Sequence, residues 1–145
     1  MTLRIEIVDE ANDEVVDALN RLLPQLSSTA TLLTLTQLRD LVESSSTTLF
    51  VARIEGTLVG ALTLAVFRIP TGLRGWIEDV VVDESARGTG VGEALTLAAI
   101  EEAKRRGIRS LDLTTRPTRH AANRLYSRLG FERRETNVYR FVVDS

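Results

Sequence analysis

The sequence predicts an α/β fold with one mixed, twisted sheet, and three observations carry that prediction. Short runs rich in β-branched residues recur along the 145 residues. Between them lie stretches whose apolar residues recur at helical spacing. The two kinds of segment follow one another in the order β-α-α-β-β-β-α-β-α-β-β, which gives about six or seven strands and four helices. Residues 1–145 are therefore expected to form a single domain.

The N-terminal part is predicted to hold one strand and two helices. LRIEIVD alternates apolar and polar residues, as a half-buried strand does. The next segment, DEVVDALNRLL, has the spacing of an amphipathic helix, and Pro24 is expected to end it. After a polar loop, Thr34 and Gln37 form a capping-box pattern that predicts a second helix over LRDLVES.

The central part is predicted to form three strands and the longest helix. TTLFVARIEGTLVGALTLAVF contains two β-rich runs joined at Glu55-Gly56, which predicts a hairpin. WIEDVVVD predicts the third strand of this group. A helix over residues 90–106 follows, because its apolar residues share one side and Gly107 can end it.

The C-terminal part is predicted to add three more strands and a helix. RSLDLTT has the β-rich composition of a strand. RHAANRLYSRLG predicts a helix that ends at Gly130. FERRE and NVYRFVV are expected to close the chain as two short strands.

Composition excludes several kinds of chemistry. The chain has no cysteine, which excludes disulfides, thiolate metal sites and a cysteine nucleophile. Its single histidine, His120, excludes a multi-histidine metal site, so no metal is expected. A formal charge of −2 gives no general attraction to nucleic acid or to anionic membranes. The apolar runs are too short for a membrane span and the N-terminus too polar for a signal peptide, so a soluble cytoplasmic protein is expected.

Three alternating glycines mark the start of the central helix, in the run RGTGVG at residues 87–92. A plain turn would need only one glycine. The third spacing differs from the Gly-x-Gly-x-x-Gly of a dinucleotide fold, and no Gly-Lys-Ser/Thr of a P-loop is present. The remaining interpretation is a pyrophosphate cradle, in which glycines let phosphate oxygens reach the unpaired N–H groups of the first helical turn.

This run, written Arg87-x-x-Gly90-x-Gly92, resembles the acetyl-CoA signature of the GCN5-related N-acetyltransferases, the GNAT superfamily. A β-branched strand directly before it and an amphipathic helix directly after it match the family's context. A second motif, AANRLYSRLGF, resembles the family's pattern of Asn and Tyr three residues apart before a helix-ending Gly-Phe. The i, i+3 spacing places Asn123 and Tyr126 on one helix face. The resemblance covers essentially the whole chain.

The resemblance implies a direct transfer of an acetyl group from acetyl-CoA to an amine. The family uses main-chain N–H groups of the strand before the glycine loop to hold the acetyl carbonyl, a standard way to stabilise a developing oxyanion. Tyr126 would protonate the leaving thiolate, and Asn123 would hydrogen-bond the pantetheine arm. The cofactor-binding residues implied in this way are Val80, Val81, Val82, Arg87, Gly88, Thr89, Gly90, Val91, Gly92, Glu93, Asn123 and Tyr126.

Two adjacent carboxylates, Glu78 and Asp79, are the candidates for the general base. Strand alternation is expected to send them to opposite faces, one toward the cleft and one into a structural ion pair. Glu78 is the favoured base, acting through a water, with partial burial suiting it to the task. His120 is expected to be an exposed polar residue at a helix start and is not assigned to catalysis.

The acceptor remains open from the sequence. We expect a primary amine of a small molecule, held by the segments LPQLSSTAT and FRIPTGLRGW. The alternatives are a protein amine, or a module that binds CoA without turnover and serves as a sensor or regulatory subunit. The family resemblance also leaves a homodimer open.

Overall fold

The structure, a computed structural model, describes residues 2–144. It contains five strands, four α-helices and one short 3-10 turn within that range: β1 (Leu3–Ile7), α1 (Asp13–Leu26), α2 (Leu35–Glu43), β2 (Thr47–Ile54), β3 (Thr57–Ile69), β4 (Gly72–Val82), the 3-10 turn (Glu84–Ala86), α3 (Val91–Arg105), β5 (Ser110–Asp112) and α4 (His120–Arg128). The predicted α/β class and the four helices are confirmed.

The strands form one open mixed sheet in the order β1-β2-β3-β4-β5. The first four strands pair antiparallel, and β4 pairs parallel with β5. The β2–β3 hairpin turns at Glu55 and Gly56, whose φ angles of 51° and 83° are those of a type I′ turn. The hairpin predicted at these two residues is therefore confirmed.

The chain divides into two compact units, one up to Leu113 and one from Thr114 onward. The first unit contains the whole sheet with α1, α2 and α3. The second contains α4 and the C-terminal segment.

Helices cover both faces of the sheet in the first unit. Leu22 of α1 and Leu38 of α2 are fully buried in one cluster with Val51 and Ala61 of the sheet. On the opposite face, Gly60 lies so close to α3 that a Cβ there would stand 3.0 Å from Val91 Cγ1. A glycine at position 60 thus lets the start of α3 pack directly on the sheet.

A β-bulge in β4 reverses which side chains face each layer. Ala61 pairs with Val81 and Thr63 with Glu78, so β4 has one residue more than β3 between the two pairs. Asp79, inside the bulge, has a φ of 50°, a left-handed value that is uncommon for a residue with a Cβ. Ile77 and Val81 are consequently both buried but lie on opposite faces of the sheet.

Two predictions from the sequence were wrong, one about the end of α1 and one about the two C-terminal strands. Pro24 lies inside α1, which continues to Leu26 and closes with Ser27 N–H donating to Leu23 O at 3.0 Å. A proline so near the C-terminal end of the helix removes one donor without preventing the last turn.

The strands expected over FERRE and NVYRFVV are not formed, because no described strand pairs with them. A β-rich run becomes a strand only when another strand satisfies its backbone groups.

Candidate cofactor and catalytic site

The second half of β4 has a free edge. Strand β5 pairs only with Arg74–Trp76, so no other described strand lies beside Ile77–Val82 on that side. Asp83 N–H donates to Val59 O at 2.7 Å, which places the main chain of Asp83 toward β3. Because backbone groups alternate along a strand, those of Val81 also face β3, whereas those of Val80 and Val82 point to the free edge. Val80 and Val82 therefore offer main-chain N–H groups there, and Val81 does not.

An arginine contact supports this assignment of the edge. Arg87 Nε donates to Val82 O at 3.3 Å, so the carbonyl of Val82 is directed away from β3. The contact joins the glycine loop to the end of β4. Arg87 thus braces the loop.

The two candidate bases lie within the first residues of this free edge. The side chains of Glu78 and Asp79 are both exposed. The bulge removes the simple alternation on which the sequence argument relied. Within residues 2–144 neither carboxylate forms an ion pair, so the expected structural ion pair is absent and the partial burial expected of Glu78 is not found. Their role as base remains a prediction.

Helix α3 begins at a glycine that cannot cap it. Gly90 has a φ of 89°, provides no side-chain hydrogen bond, and accepts from Ala94 N–H at 3.0 Å. The N–H groups of Val91 and Gly92 belong to the first turn, where the helix has no carbonyl acceptors for them. A Cβ built on Gly88 or Gly90 would meet nothing within 4 Å. The surface in front of these N–H groups is therefore open to a ligand.

Two threonines hold the glycine loop in shape. Thr89 Oγ1 donates to Ala86 O, which bridges the 3-10 turn and the loop. Thr96, fully buried, donates through Oγ1 to Gly92 O at 2.8 Å. The sequence analysis missed Thr96, although a threonine on the apolar side of a helix is a signal for a back-bonded hydroxyl.

In the second unit, α4 carries the other two predicted residues. Asn123 Nδ2 donates to Arg116 O at 3.0 Å and to Arg119 O at 2.7 Å, so its amide nitrogen braces the turn before the helix. Only its Oδ1 is left to accept from a pantetheine amide. His120 is exposed at the first position of the helix, as predicted.

Tyr126 is half-buried on the same helix. Its ring meets that of Phe131 edge to face, with centroids 5.7 Å apart and an interplanar angle of 67°. Burial raises the pKa of the Tyr126 hydroxyl above 10.0, and the charge of Arg119 opposes this in part. The hydroxyl is therefore protonated at neutral pH and can act as a proton donor.

The described residues offer no arrangement for a metal ion: no group of three or more His, Cys, Asp or Glu side chains comes together in residues 2–144. Across the same range, every helix is too short or too polar to cross a membrane.

The described residues thus form an α/β protein in which a free strand edge is followed by a helix without a side-chain cap. The chain belongs to the acetyltransferase (GNAT) family, whose model matches residues 12–131. Family membership accounts for the resemblance of both motifs, and proteins of this family use acetyl-CoA.

Individual relatives show how far the likeness extends. A mycothiol acetyltransferase of Thermobispora bispora is 40% identical over 92 residues, which is 61% of this chain and 31% of that protein. The N-alpha-acetyltransferase 30 of Schizosaccharomyces pombe is 35% identical over 74 residues, 51% of this chain and 49% of that protein. The chain thus spans less than half of the length of these two curated relatives.

Among solved structures, an aminoglycoside acetyltransferase from an uncultured soil metagenomic sample has the same fold. Its TM-score is 0.85 at 22% identity, and the match covers 99% of this chain and 97% of that one.

Proposed function

We propose that the protein transfers the acetyl group of acetyl-CoA directly to a primary amine of a small molecule. The observation that carries this proposal is the open N-terminus of α3 directly after the free edge of β4. The first provides the N–H groups of Val91 and Gly92 for a pyrophosphate, and the second provides N–H donors for a carbonyl oxygen.

Each group of residues has a part in this proposal. The N–H groups of Val91 and Gly92 bind the pyrophosphate, where the helix dipole alone favours an anion by about 0.3–2 kcal/mol. The N–H groups of Val80 and Val82 hold the acetyl carbonyl, and their hydrogen bonds strengthen as charge develops on its oxygen.

The two carboxylates in the first residues of the free edge of β4 support an amine as the acceptor. Glu78 and Asp79 are exposed and attract an ammonium group. One of them, with Glu78 favoured, accepts the amine proton through a water. The neutral amine nitrogen then bonds to the acetyl carbon, and the carbon–sulfur bond breaks. Tyr126 gives its hydroxyl proton to the departing thiolate, and the nitrogen loses its second proton to solvent.

The choice of acceptor class rests on the relatives. The match to a mycothiol acetyltransferase supports a small-molecule amine. The match to N-alpha-acetyltransferase 30 supports the alternative, an amine of a protein. A panel of small amines and peptides, with mass spectrometry of the acetylated product, separates the two.

The test of the mechanism compares the two tyrosines of the chain. Tyr126→Phe removes the proposed acid, and we expect kcat to fall about 100-fold, the range typical of a lost general acid. Tyr139→Phe is the matched control, because Tyr139 is 88% exposed and has no proposed role. The measurement is the rate at which free thiol is released from acetyl-CoA.

The outcomes distinguish an enzyme from a binding module. Equal rates for wild type and Tyr126→Phe would remove Tyr126 from the mechanism. If CoA raises the melting temperature but no amine in the panel releases thiol above background, the chain is a CoA-binding module without turnover. If CoA has no effect on melting, both functions are wrong.

A further inference from the structure

The C-terminal half of α1 holds two distant segments of the first unit through side-chain amides. Asn20 Nδ2 donates to Leu33 O at 2.9 Å, and Asn20 Oδ1 accepts from Leu33 N–H at 2.7 Å. This pair of bonds fixes the end of the loop between α1 and α2 to the helix. One turn later, Gln25 reaches the corner that follows β4.

Gln25 uses both ends of its amide at that corner. Its Nε2 donates to Asp83 Oδ1 at 3.2 Å, and its Oε1 accepts from Glu84 N–H at 2.9 Å. The two partners lie 58 and 59 residues further along the chain. An amide is suited to this position because it combines a donor and an acceptor in one planar group.

Gln25 joins a segment that the sequence predicts to contact the acceptor to the segment that the proposed function gives to CoA. The loop expected to contact the acceptor, which we call the acceptor loop (residues 27–33), starts two residues after Gln25. The glycine loop (residues 87–92) starts three residues after Glu84. Arg21 anchors the helix separately, since its Nη2 donates to Leu58 O at 2.7 Å. The helix is thus fixed to the sheet, while Gln25 connects the end of the helix to the corner that precedes the glycine loop.

We infer that Gln25 is a positioning residue that couples the acceptor loop to the glycine loop, so that CoA bound at the glycine loop orders the acceptor loop. This inference rests on the proposed function. Coupling between two sites is reciprocal, so loosening the corner also weakens CoA binding. Two exposed hydrogen bonds of this kind correspond to an effect of about fivefold.

Hydrogen exchange with CoA as the only ligand tests the inference without knowledge of the acceptor. In wild type, CoA is expected to slow exchange in residues 87–93, where it binds, and in residues 27–33. Gln25→Met keeps the length of the side chain and removes both hydrogen bonds. We expect it to retain the slowing at 87–93, to lose the slowing at 27–33, and to raise the Kd for CoA about fivefold.

Gln37→Met is the matched control. Gln37 is also an exposed glutamine whose Oε1 accepts a hydrogen bond from a main-chain N–H, that of Thr34, at 3.0 Å. Loss of that bond lowers thermal stability, but the difference in exchange that CoA produces at residues 27–33 is expected to remain. The control therefore separates a loosened helix end from a lost coupling.

A paired substitution provides the rescue. In Gln25→Glu with Asp83→Asn, donor and acceptor exchange places, and the carboxylate at position 25 still accepts from Glu84 N–H. We expect this double variant to regain the CoA-dependent slowing at residues 27–33. Gln25→Glu alone should lose it, because its carboxylate faces that of Asp83.

Four results would overturn the inference or its basis, and they can be told apart. Slowing at 27–33 in Gln25→Met equal to wild type overturns the coupling. The same holds if wild type is slowed only at 87–93, or if the double variant behaves like Gln25→Met. If CoA changes exchange nowhere in wild type, the proposed function itself is wrong.

Discussion

Helices α1 and α2 begin in a different way from α3, although all three belong to the first unit. Asn12 Oδ1 accepts from Val15 N–H at 2.9 Å at the start of α1. At the start of α2, Thr34 Oγ1 accepts from Gln37 N–H at 3.1 Å in a complete capping box. Helix α3 starts at Gly90 with no side-chain bond at all. The chain caps two of these helices with its own side chains and does not cap the third.

The difference has an energetic meaning. A side-chain cap contributes about 1 kcal/mol to a helix, so α3 lacks that stabilisation when no ligand is bound. Its first turn is held instead by packing of Val91 and Leu95 on the sheet at Gly60 and by the bond from Thr96 to Gly92. Tertiary contacts thus take the place of the missing cap.

The largest expected effect comes from placing a negative charge at the open helix start. Gly90→Asp puts a carboxylate where we propose that phosphates bind, and a charge pair at about 4 Å is worth about 1–4 kcal/mol between full and weak screening. We expect the Kd for CoA to rise about 100-fold, measured by calorimetry.

Gly90→Asn is the control for that experiment. Asparagine has the same shape as aspartate and tolerates the left-handed φ of 89° equally well. The two variants therefore share the backbone strain and differ in charge. Equal affinities of the two variants for CoA would show that no anion binds at this helix start.

An intermediate effect is expected when a self-capped helix loses its cap. Thr34→Ala removes the acceptor for Gln37 N–H, and we expect the free energy of unfolding to fall by about 1 kcal/mol. The Kd for CoA should stay within twofold of wild type, because this helix end has no part in cofactor binding. Chemical denaturation gives the first quantity and calorimetry the second.

Thr36→Ala serves as the reference, since Thr36 is an exposed threonine two residues further into the same helix. It removes the same atoms without removing a cap. If both alanine variants unfold alike, the capping box contributes nothing measurable to the free energy of unfolding. The missing side-chain cap of α3 would then have no energetic cost.

The smallest effect is expected at the acidic start of α1 and depends on pH. Arg53 hydrogen-bonds Glu14 and holds the pKa of that carboxyl below 4.5. A carboxyl whose pKa is lower in the folded than in the unfolded state stabilises the fold above the unfolded value, and this contribution disappears as pH falls through the folded value. Glu14→Gln should therefore melt slightly below wild type at pH 7 and together with it at pH 3.

Asp17→Asn is the comparison for this measurement. Asp17 is an exposed acid on the same helix, and no ion pair among residues 2–144 includes it. Its melting temperature relative to wild type should not change across the same pH range. A difference for Glu14→Gln that persists at pH 3 would exclude the ion pair as its cause.

Features that depend on neighbouring residues were predictable from the sequence. The pair Thr34 and Gln37 predicts the capping box, and Glu55-Gly56 predicts the hairpin turn; both are confirmed. Gly107 and Gly130, predicted to end α3 and α4, have positive φ angles of 71° and 101° directly after these helices. Local rules suffice here because the atoms involved lie within a few residues of one another.

Features that depend on distant residues were missed. The bulge at Asp79 exists only relative to β3, and it invalidates the alternation predicted for Glu78 and Asp79. The contact of Gln25 with Asp83 joins residues 58 apart. NVYRFVV has the composition of a strand, but it has no described partner strand and its Val138, Tyr139 and Phe141 are exposed.

By itself the sequence determined the α/β class, the family and the glycine-led start of α3, because glycine spacing, helical periodicity and capping pairs are written in local order. Only the tertiary structure decided which main-chain N–H groups of β4 are free of a partner strand. Strand β5 is too short to pair beyond Trp76, so the N–H groups of Val80 and Val82 remain at a free edge while those of Val81 face β3. Whether a backbone donor is free depends on what lies beside it, and that is a property of the assembled sheet.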